Sequence, residues 1–189
     1  GARQLRQYSL VNAPGTGELT FAVKPVDAEG DHPAGEVSNW IRTNVVVGDL
    51  LDVTVPFGDL PTPGSAPVVL ISAGIGITPM IGLLEYLLAQ APDTDVTVLH
   101  ADRTEATHPL RERQRELVDA LPSASLEVWY EYNRGLLNLD DVTLPEGAEV
   151  YLCGNNGFVQ AVRAQLTSRG IPGDKVHCEL FGPNDWLLD

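Results

Sequence analysis

Two patterns of hydrophobic positions divide the chain into two units. Residues 1–60 carry short alternating segments, TFAV at 20–23 and LDVTV at 51–55, between loops that contain glycine, proline and aspartate. Alternation with a period of two predicts half-buried strands, and the frequent turn residues favour an all-β unit such as a small barrel. Residues 61–66, PTPGSA, indicate a linker. After the linker, apolar runs alternate with helical patterns, which predicts an α/β unit.

The second unit is predicted to be a doubly wound parallel sheet. Short, continuous apolar runs are typical of buried parallel strands, and most of them precede a segment with helical periodicity. Ligands of such sheets bind beyond the carboxyl ends of the strands. The predicted strands are residues 68–72, 96–100, 126–130, 150–153 and 176–180, and the predicted helices are residues 79–90, 109–121 and 157–169, the last ending at Gly170.

The segment 68–80, VVLISAGIGITPM, carries the strongest local indication of a ligand. Gly74 and Gly76 remove side chains where a ligand could approach the backbone. Thr78 is predicted to cap the next helix, with Pro79 at its first position. Free N–H groups and the helix dipole would then favour the phosphate of a cofactor. The motif is not a complete G-x-G-x-x-G fingerprint, so a turn that uses glycine only for its geometry is the alternative.

Two motifs in the first unit predict further contacts with a phosphate or a planar ring. In RQYS at 6–9, Arg6 and Tyr8 lie on one face of a predicted strand. A guanidinium, a ring and a hydroxyl could hold a phosphate, stack on a planar group and donate a hydrogen bond. In GEVSNWI at 35–41, a glycine turn leads into a helix with Ser38 as predicted N-cap, a second anion site. Ordinary strand and capping roles are the alternatives.

Charge and cysteine content exclude several classes of function. The 26 acidic and 12 basic residues give a formal net charge of −14, which disfavours a nucleic-acid partner. No apolar run reaches the ~18 residues that span a bilayer, so we expect no membrane segment and a cytoplasmic location. Cys153 and Cys178 have neither metal-ligand nor cluster-ligand spacing, so we expect no metal and no iron–sulfur group.

Eight short motifs follow one another in one order along the chain. They are RQYSL, VK at 23–24, GEVSNWI, GDLLDVTVPFGDL, LISAGIGITPM, LHADR, YLCGNNGFVQ and HCELFGP. In this order they resemble the reductase part of flavohaemoglobins, within the ferredoxin–NADP reductase superfamily. The resemblance covers nearly the whole chain. It implies an antiparallel FAD-binding β-barrel in residues 1–62 and an NAD(P)H-binding α/β domain in residues 66–189.

The resemblance also implies roles for individual residues. In the family, the arginine of R-x-Y-S contacts the FAD phosphates, the tyrosine packs on the isoalloxazine and the serine reaches flavin N5. The G-x-V-S turn contributes pyrophosphate contacts, the glycine turn and the C-G-x-x-G-F segment bind the nicotinamide dinucleotide, and E-x-F-G-P lies near both rings. The positions concerned are Arg6, Gln7, Tyr8 and Ser9; Gly35, Val37, Ser38 and Asn39; Gly74, Gly76, Thr78 and Pro79; Cys153, Gly154, Gly157 and Phe158; and Glu179, Phe181, Gly182 and Pro183.

The implied reaction is hydride transfer from NAD(P)H to flavin N5, followed by electron transfer to a haem-globin domain, as in a nitric oxide dioxygenase. Ser9 would bond N5, while Glu179 and Cys153 would shape the nicotinamide pocket. Asp102 favours a free ribose hydroxyl and Arg103 a 2′-phosphate, and the acidic balance favours NADH. The alternatives are a stand-alone reductase that feeds an oxygenase or another acceptor, and a dinucleotide-binding module without redox activity.

The chain departs from the family pattern in three respects, and each departure predicts a structural difference. Asn155-Asn156 replaces the usual proline after C-G, which predicts a more flexible turn. The four histidines do not form a helical haem-pocket pattern, so we expect no haem in this chain. The chain begins almost at R-x-Y-S, whereas a family barrel has earlier strands. We therefore expect an incomplete barrel and a chain that belongs to a longer protein.

Overall fold

A five-stranded parallel sheet forms the centre of the α/β unit. The computed structural model describes residues 4–28, 30 and 33–181. All neighbouring strands of the sheet are parallel, in the order β3-β2-β1-β4-β5. The strands are β1 (Val68–Ala73), β2 (Val96–Asp102), β3 (Ala124–Tyr130), β4 (Glu149–Gly154) and β5 (Val176–Leu180). Each predicted strand of this unit lies within an observed one, so the predicted parallel sheet is confirmed.

Five α-helices accompany the sheet in the described residues. The three predicted in the α/β unit are confirmed, with ends that differ by one or two residues, as is usual for helix termini. Gly170 follows the last of them with φ +77°, a left-handed stop that favours glycine. The helices are α1 (Glu36–Asn44), α2 (Ile77–Gln90), α3 (Arg111–Ala120), α4 (Glu131–Arg134) and α5 (Asn156–Ser168).

The order of the strands creates a crevice at one edge of the sheet. The chain runs outward from β1 through β2 to β3, then crosses to the other side of β1 to form β4. The connections after β1 and β4 therefore leave in opposite directions at neighbouring carboxyl ends, where Ser72 pairs with Cys153. This reversal point is where doubly wound sheets bind ligands.

Two apolar layers explain the continuous hydrophobic runs of the central strands. In β1, Val68 and Leu70 face the layer that holds α2 and α3. The intervening Val69 and Ile71 face the layer that holds α5. Because both faces of β1 are covered, its side chains are buried on both sides and the polar–apolar alternation of a surface strand is absent.

The first unit does not form the predicted strands within the described residues. One antiparallel bridge joins Leu10 and Phe21, and residues 51–60 contain no strand. Val53, Val55 and Phe57 are exposed there. A strand needs a neighbouring strand to take up its backbone N–H and C=O groups, and residues 51–55 belong to no strand of the described sheet. The predictions for 20–23 and 51–55 are therefore wrong for this structure.

The N-terminal segment nevertheless has a defined place on the α/β unit. Val11 belongs to the apolar layer beneath α2. The backbone of Leu10 passes so close to α2 that its carbonyl oxygen would lie 2.8 Å from a Cβ at Gly82. The amide of Ala13 donates to the Glu85 carboxylate at 3.1 Å. These contacts bring residues 6–9 to the crevice end of the sheet.

Candidate active site

The glycine turn after β1 packs directly on the end of β4. Gly74 has φ +51°, and a Cβ on Gly76 would lie 2.5 Å from the carbonyl oxygen of Cys153. Real Cβ atoms do not approach backbone so closely, so glycine is required at Gly76 by packing. The turn is a short 3₁₀ helix, Gly74–Gly76, that runs straight into α2. The G-x-G pattern thus lines the crevice at the reversal point of the sheet.

The predicted cap of α2 is wrong in detail. The helix begins at Ile77 with Gly76 as its N-cap, so Thr78 and Pro79 are its second and third residues. The Thr78 hydroxyl donates to the carbonyl of Ile75 at 3.0 Å and stabilises the turn. Pro79 still falls in the first helical turn, where a missing N–H costs no intrahelical hydrogen bond.

The turn after β4 forms the opposite wall of the crevice. A Cβ on Gly154 would lie 2.6 Å from the ring of Phe158 and 3.3 Å from the Ala73 side chain. Asn155 is the N-cap of α5, since its side-chain oxygen accepts from the amide of Phe158 at 2.9 Å. Sequence analysis missed this capping role. Proline at this position could not supply that acceptor, so the departure from the family pattern has a structural use here.

One cavity of about 250 Å³ brings together motifs that are far apart in sequence. It joins the RQYS and GEVS segments to the glycine turn and to Phe181. Lys24 also lines it, and a Cβ on Gly74 would lie 3.9 Å from its ammonium. The VK motif was the only sequence signal for this lysine. The lining residues are Arg6, Gln7, Tyr8, Ser9, Ala22, Lys24, Val26, Gly35, Glu36, Val37, Ser38, Ile75, Thr78 and Phe181.

Ser9 and Glu179 meet beside this cavity across 170 residues of sequence. The Ser9 hydroxyl donates to Glu179 Oε1 at 2.6 Å. Burial raises the pKa of Glu179, and the hydrogen bond from Ser9 partly offsets the rise. Glu179 pairs in register with Cys153 on β4. Burial raises the pKa of the Cys153 thiol strongly, so this cysteine is a neutral, fully buried wall of the site rather than a thiolate nucleophile.

The two polar groups at the mouth of the cavity are held differently from the predicted pattern. Arg6 lies on an exposed, non-strand segment, where its guanidinium donates to Leu5 O at 2.7 Å and Gln4 Oε1 at 3.0 Å. The Tyr8 ring stacks on Phe21 with centroids 5.7 Å apart. Burial raises the pKa of Tyr8, an effect that Arg6 opposes, so Tyr8 stays a neutral phenol.

Ser38 is not the N-cap of its helix, because α1 begins at Glu36 with Gly35 as the cap residue. The Ser38 hydroxyl instead accepts from the amide of Val26 and donates to the carbonyl of Gly35, both at 3.3 Å. Asn39 donates to the carbonyls of Val26 and Gly35 at 2.7 and 2.9 Å. Ser38 and Asn39 therefore fix the glycine turn to residue 26.

A second depression, of about 900 Å³, lies beyond the carboxyl end of β2. Asp102 ends that strand, and Arg103 follows it on an exposed loop. The depression is lined by this loop, by the start of α3 and by Tyr132. Gly157 and Phe158 lie at the start of α5 on the other side of the crevice. Gly182 and Pro183, also predicted to be near the rings, lie outside the described residues.

A buried histidine pair, which sequence analysis missed, supports the floor of this region. His100 is fully buried, bonds Ser72 Oγ through Nδ1 at 2.8 Å and stacks on His108 with centroids 3.9 Å apart. His108 contacts Tyr130 at 3.1 Å and Gln114 at 3.2 Å. Burial, reinforced by its partner ring, holds the pKa of His100 well below its usual value. Burial also lowers the pKa of His108.

Acidification is therefore expected to destabilise the fold through these histidines. Unfolded His100 takes up a proton below pH ~6.5, whereas folded His100 does not, so stability falls as pH drops from that value towards the folded pKa. The loss is about 1.4 kcal/mol per pH unit for each such group. Urea denaturation between pH 7.5 and 5 should show this slope, and His100→Asn should flatten it. Equal slopes in both proteins would contradict the assignment.

Two classes of feature are absent from the described residues. No group of three or more His, Cys, Asp or Glu side chains is placed to hold a metal ion there. Among residues 4–28, 30 and 33–181, no helix has the length and apolar character needed to cross a bilayer.

The parallel sheet, its crevice and the two glycine turns define a dinucleotide-binding α/β domain. The chain belongs to the oxidoreductase NAD-binding domain family, whose profile matches residues 70–164, and to its flavohaemoglobin group. The FAD/NAD-binding domain of nitric oxide dioxygenase from Vibrio cholerae is 36% identical, with TM-score 0.88, over 97% of this chain and 79% of that one.

Two further relatives agree with this placement. A flavohemoprotein of Chromobacterium violaceum is 40% identical over 96% of this chain and 49% of its own length. Flavohemoglobin from Malassezia yamatoensis, solved with bound FAD and heme, is 32% identical with TM-score 0.81, over 95% of this chain and 47% of that one. The chain thus spans about half the length of the curated relatives it matches.

Proposed function

We propose that the chain is the reductase part of a flavohaemoglobin-type nitric oxide dioxygenase. It would take a hydride from NADH onto FAD and pass electrons to a haem-globin domain. The observation that most strongly supports this function is the 250 Å³ cavity, where residues 6–9 and 35–38 lie against the glycine turn after β1. The relatives named flavohemoprotein, about twice the length of this chain, support a globin domain as the electron acceptor.

The residues of the cavity fit a flavin. Arg6 and Lys24 supply the cationic groups that phosphates need, and Tyr8 supplies a neutral ring for stacking. The Ser9 hydroxyl can turn from Glu179 to a ring nitrogen, since hydroxyl hydrogens rotate freely. Bound FAD would supply the hydride-accepting chemistry that no side chain has. Ser38 and Asn39 would act by holding the turn at Gly35 in place for the pyrophosphate.

The hydride donor would enter through the crevice between the two glycine turns. The backbone N–H groups at Gly74, Gly76 and Thr78 would face a phosphate at the start of α2. Pro79 has no N–H to offer and would instead fix the backbone of this first turn. Gly154, Gly157 and Phe158 would border the nicotinamide. Buried Cys153 would exclude water from that end, and Glu179, which lies beside Ser9, would border the nicotinamide pocket.

The proposal includes the organisation around this site. Residues 1–62 would belong to the FAD-binding barrel and residues 66–189 would belong to the NAD(P)H-binding domain. The exposed apolar side chains of Val53, Val55 and Phe57 are ones that a barrel would cover. The net charge of −14 argues against nucleic acid as a partner. Two free cysteines agree with a cytoplasmic location.

Anaerobic titration with NADH tests the proposal, using the protein expressed from its complete reading frame. We expect about one FAD per chain, bleached by NADH, and reoxidised when the haem domain accepts the electrons. Bleaching that is relieved only by an added external acceptor would replace the globin with a separate partner. A colourless protein that binds NADH would overturn the flavin assignment and leave a dinucleotide-binding module.

A further inference from the structure

The carboxylate at the end of β2 points into the protein and away from the nucleotide crevice. An acidic residue here ordinarily bonds the ribose 2′-hydroxyl of NADH. The Asp102 side chain is only 5% exposed. Its Oδ1 accepts from the amide of Arg103 at 2.7 Å and from the Thr107 hydroxyl at 2.5 Å. Its Oδ2 is buried, 4.0 Å from His100 Nε2. Asp102 therefore organises the loop 103–107.

Other carboxylates face the site instead. Glu105 and Glu112 line the 900 Å³ depression beyond β2, with side chains that are 61% and 71% exposed. Both form ion pairs with Arg111, whose side chain is only 31% exposed. Arg111 Nη1 is paired with Glu105, and Arg111 Nη2 lies 2.6 Å from Glu112 Oε1. The guanidinium in the depression is thus already neutralised by two acids.

The second guanidinium of the depression, that of Arg113, is also held in ion pairs by two carboxylates. Arg113 also lines the depression, and it pairs with Glu85 at 2.9 Å and Glu116 at 3.1 Å. Arg103 has no ion pair within the described residues, and Arg115 acts with Arg111 to lower the pKa of Glu112. Both guanidiniums that line the depression are held by acids, so the exposed oxygens of Glu105 and Glu112 are the negative charges that a ligand approaches there.

We propose that the triad Glu105–Arg111–Glu112 makes this site select NADH over NADPH. The inference rests on the proposed function, because it concerns the hydride donor of that same site. A phosphate monoester carries close to two negative charges at pH 7, and here it would approach two carboxylates whose shared cation, Arg111, is already paired. The neutral 2′-hydroxyl of NADH meets no such repulsion. Selection acts by repelling the competitor.

The test compares steady-state reduction by NADH and by NADPH in the full-length flavoprotein. Glu105→Gln/Glu112→Gln should lower the KM for NADPH about tenfold, because it removes two repulsive charges and frees Arg111. The KM for NADH should stay within twofold. The wild-type preference should shrink as salt rises, because the acids are exposed. In the double variant salt should instead raise the KM for NADPH, because it screens the freed Arg111 from the phosphate. Isothermal titration with NADP⁺ gives an independent readout.

Controls separate the triad from its neighbours. Asp119→Asn, which removes an exposed carboxylate of the same helix that does not line the depression, should leave the preference unchanged. If the double variant is unstable, Glu112→Gln alone should still lower the KM for NADPH, since its side chain lies on the surface of α3. An unchanged NADH/NADPH ratio, or a full shift produced by Asp102→Asn alone, would overturn the inference. Failure of wild-type protein to react with NADH would instead overturn the proposed function.

Discussion

Replacing Gly76 with alanine is expected to reduce NADH-dependent flavin reduction about 100-fold. The added methyl would lie 2.5 Å from the carbonyl oxygen of Cys153 and 2.8 Å from the amide nitrogen of Gly154. Both neighbours are backbone atoms at the end of β4, so the two walls of the crevice must separate. Displacement of bound reactants by about 1 Å is enough for a rate loss of this order.

The same substitution should cost about 1–3 kcal/mol of stability, the usual effect of forcing atoms into a packed site. Stopped-flow reduction and urea denaturation measure the two effects separately. Gly173→Ala is the matched control, because a Cβ there meets no atom within 4 Å, and it should leave both quantities unchanged. Normal reduction by the Gly76→Ala protein would show that the crevice between β1 and β4 does not hold the nucleotide.

Replacing Ser9 with alanine is expected to slow flavin reduction about 100-fold while FAD remains bound. The change removes a hydroxyl donor from the cavity that we assign to the flavin, and loss of one well-placed donor has an effect of this size.

A merely structural role for Ser9 would lower FAD retention and leave the reduction rate of the FAD-loaded protein unchanged. Single-turnover reduction and the FAD-to-protein ratio distinguish the two roles. Ser168→Ala is the control, since that exposed hydroxyl donates to the carbonyl of Gln165 at the end of α5 and does not line the cavity. An unchanged reduction rate in the Ser9→Ala protein would remove this hydroxyl from the reaction.

Local patterns predicted the α/β unit well because its elements are specified locally. Strand β1 is a short β-branched run and α2 has helical periodicity, so both could be identified without knowing their neighbours. The predicted strands at 20–23 and 51–55 were wrong, since pairing depends on a partner elsewhere in the molecule. The helix caps predicted at Thr78 and Ser38 were wrong by two and three residues. Glycine is the N-cap residue of both helices, and in α2 a 3₁₀ turn precedes the helix directly.

In the candidate site, too, some features follow from local sequence patterns and others depend on the tertiary structure. The sequence by itself determined which segments are candidates for the chemistry, because glycine turns and the R-x-Y-S motif are contiguous patterns. Only the tertiary structure decided that Ser9 meets Glu179, that Lys24 enters the cavity and that Asp102 turns inward to His100 while Glu105 and Glu112 face the crevice. Those relations join residues on different elements or depend on side-chain direction, and neither is encoded in the spacing of residues along the chain.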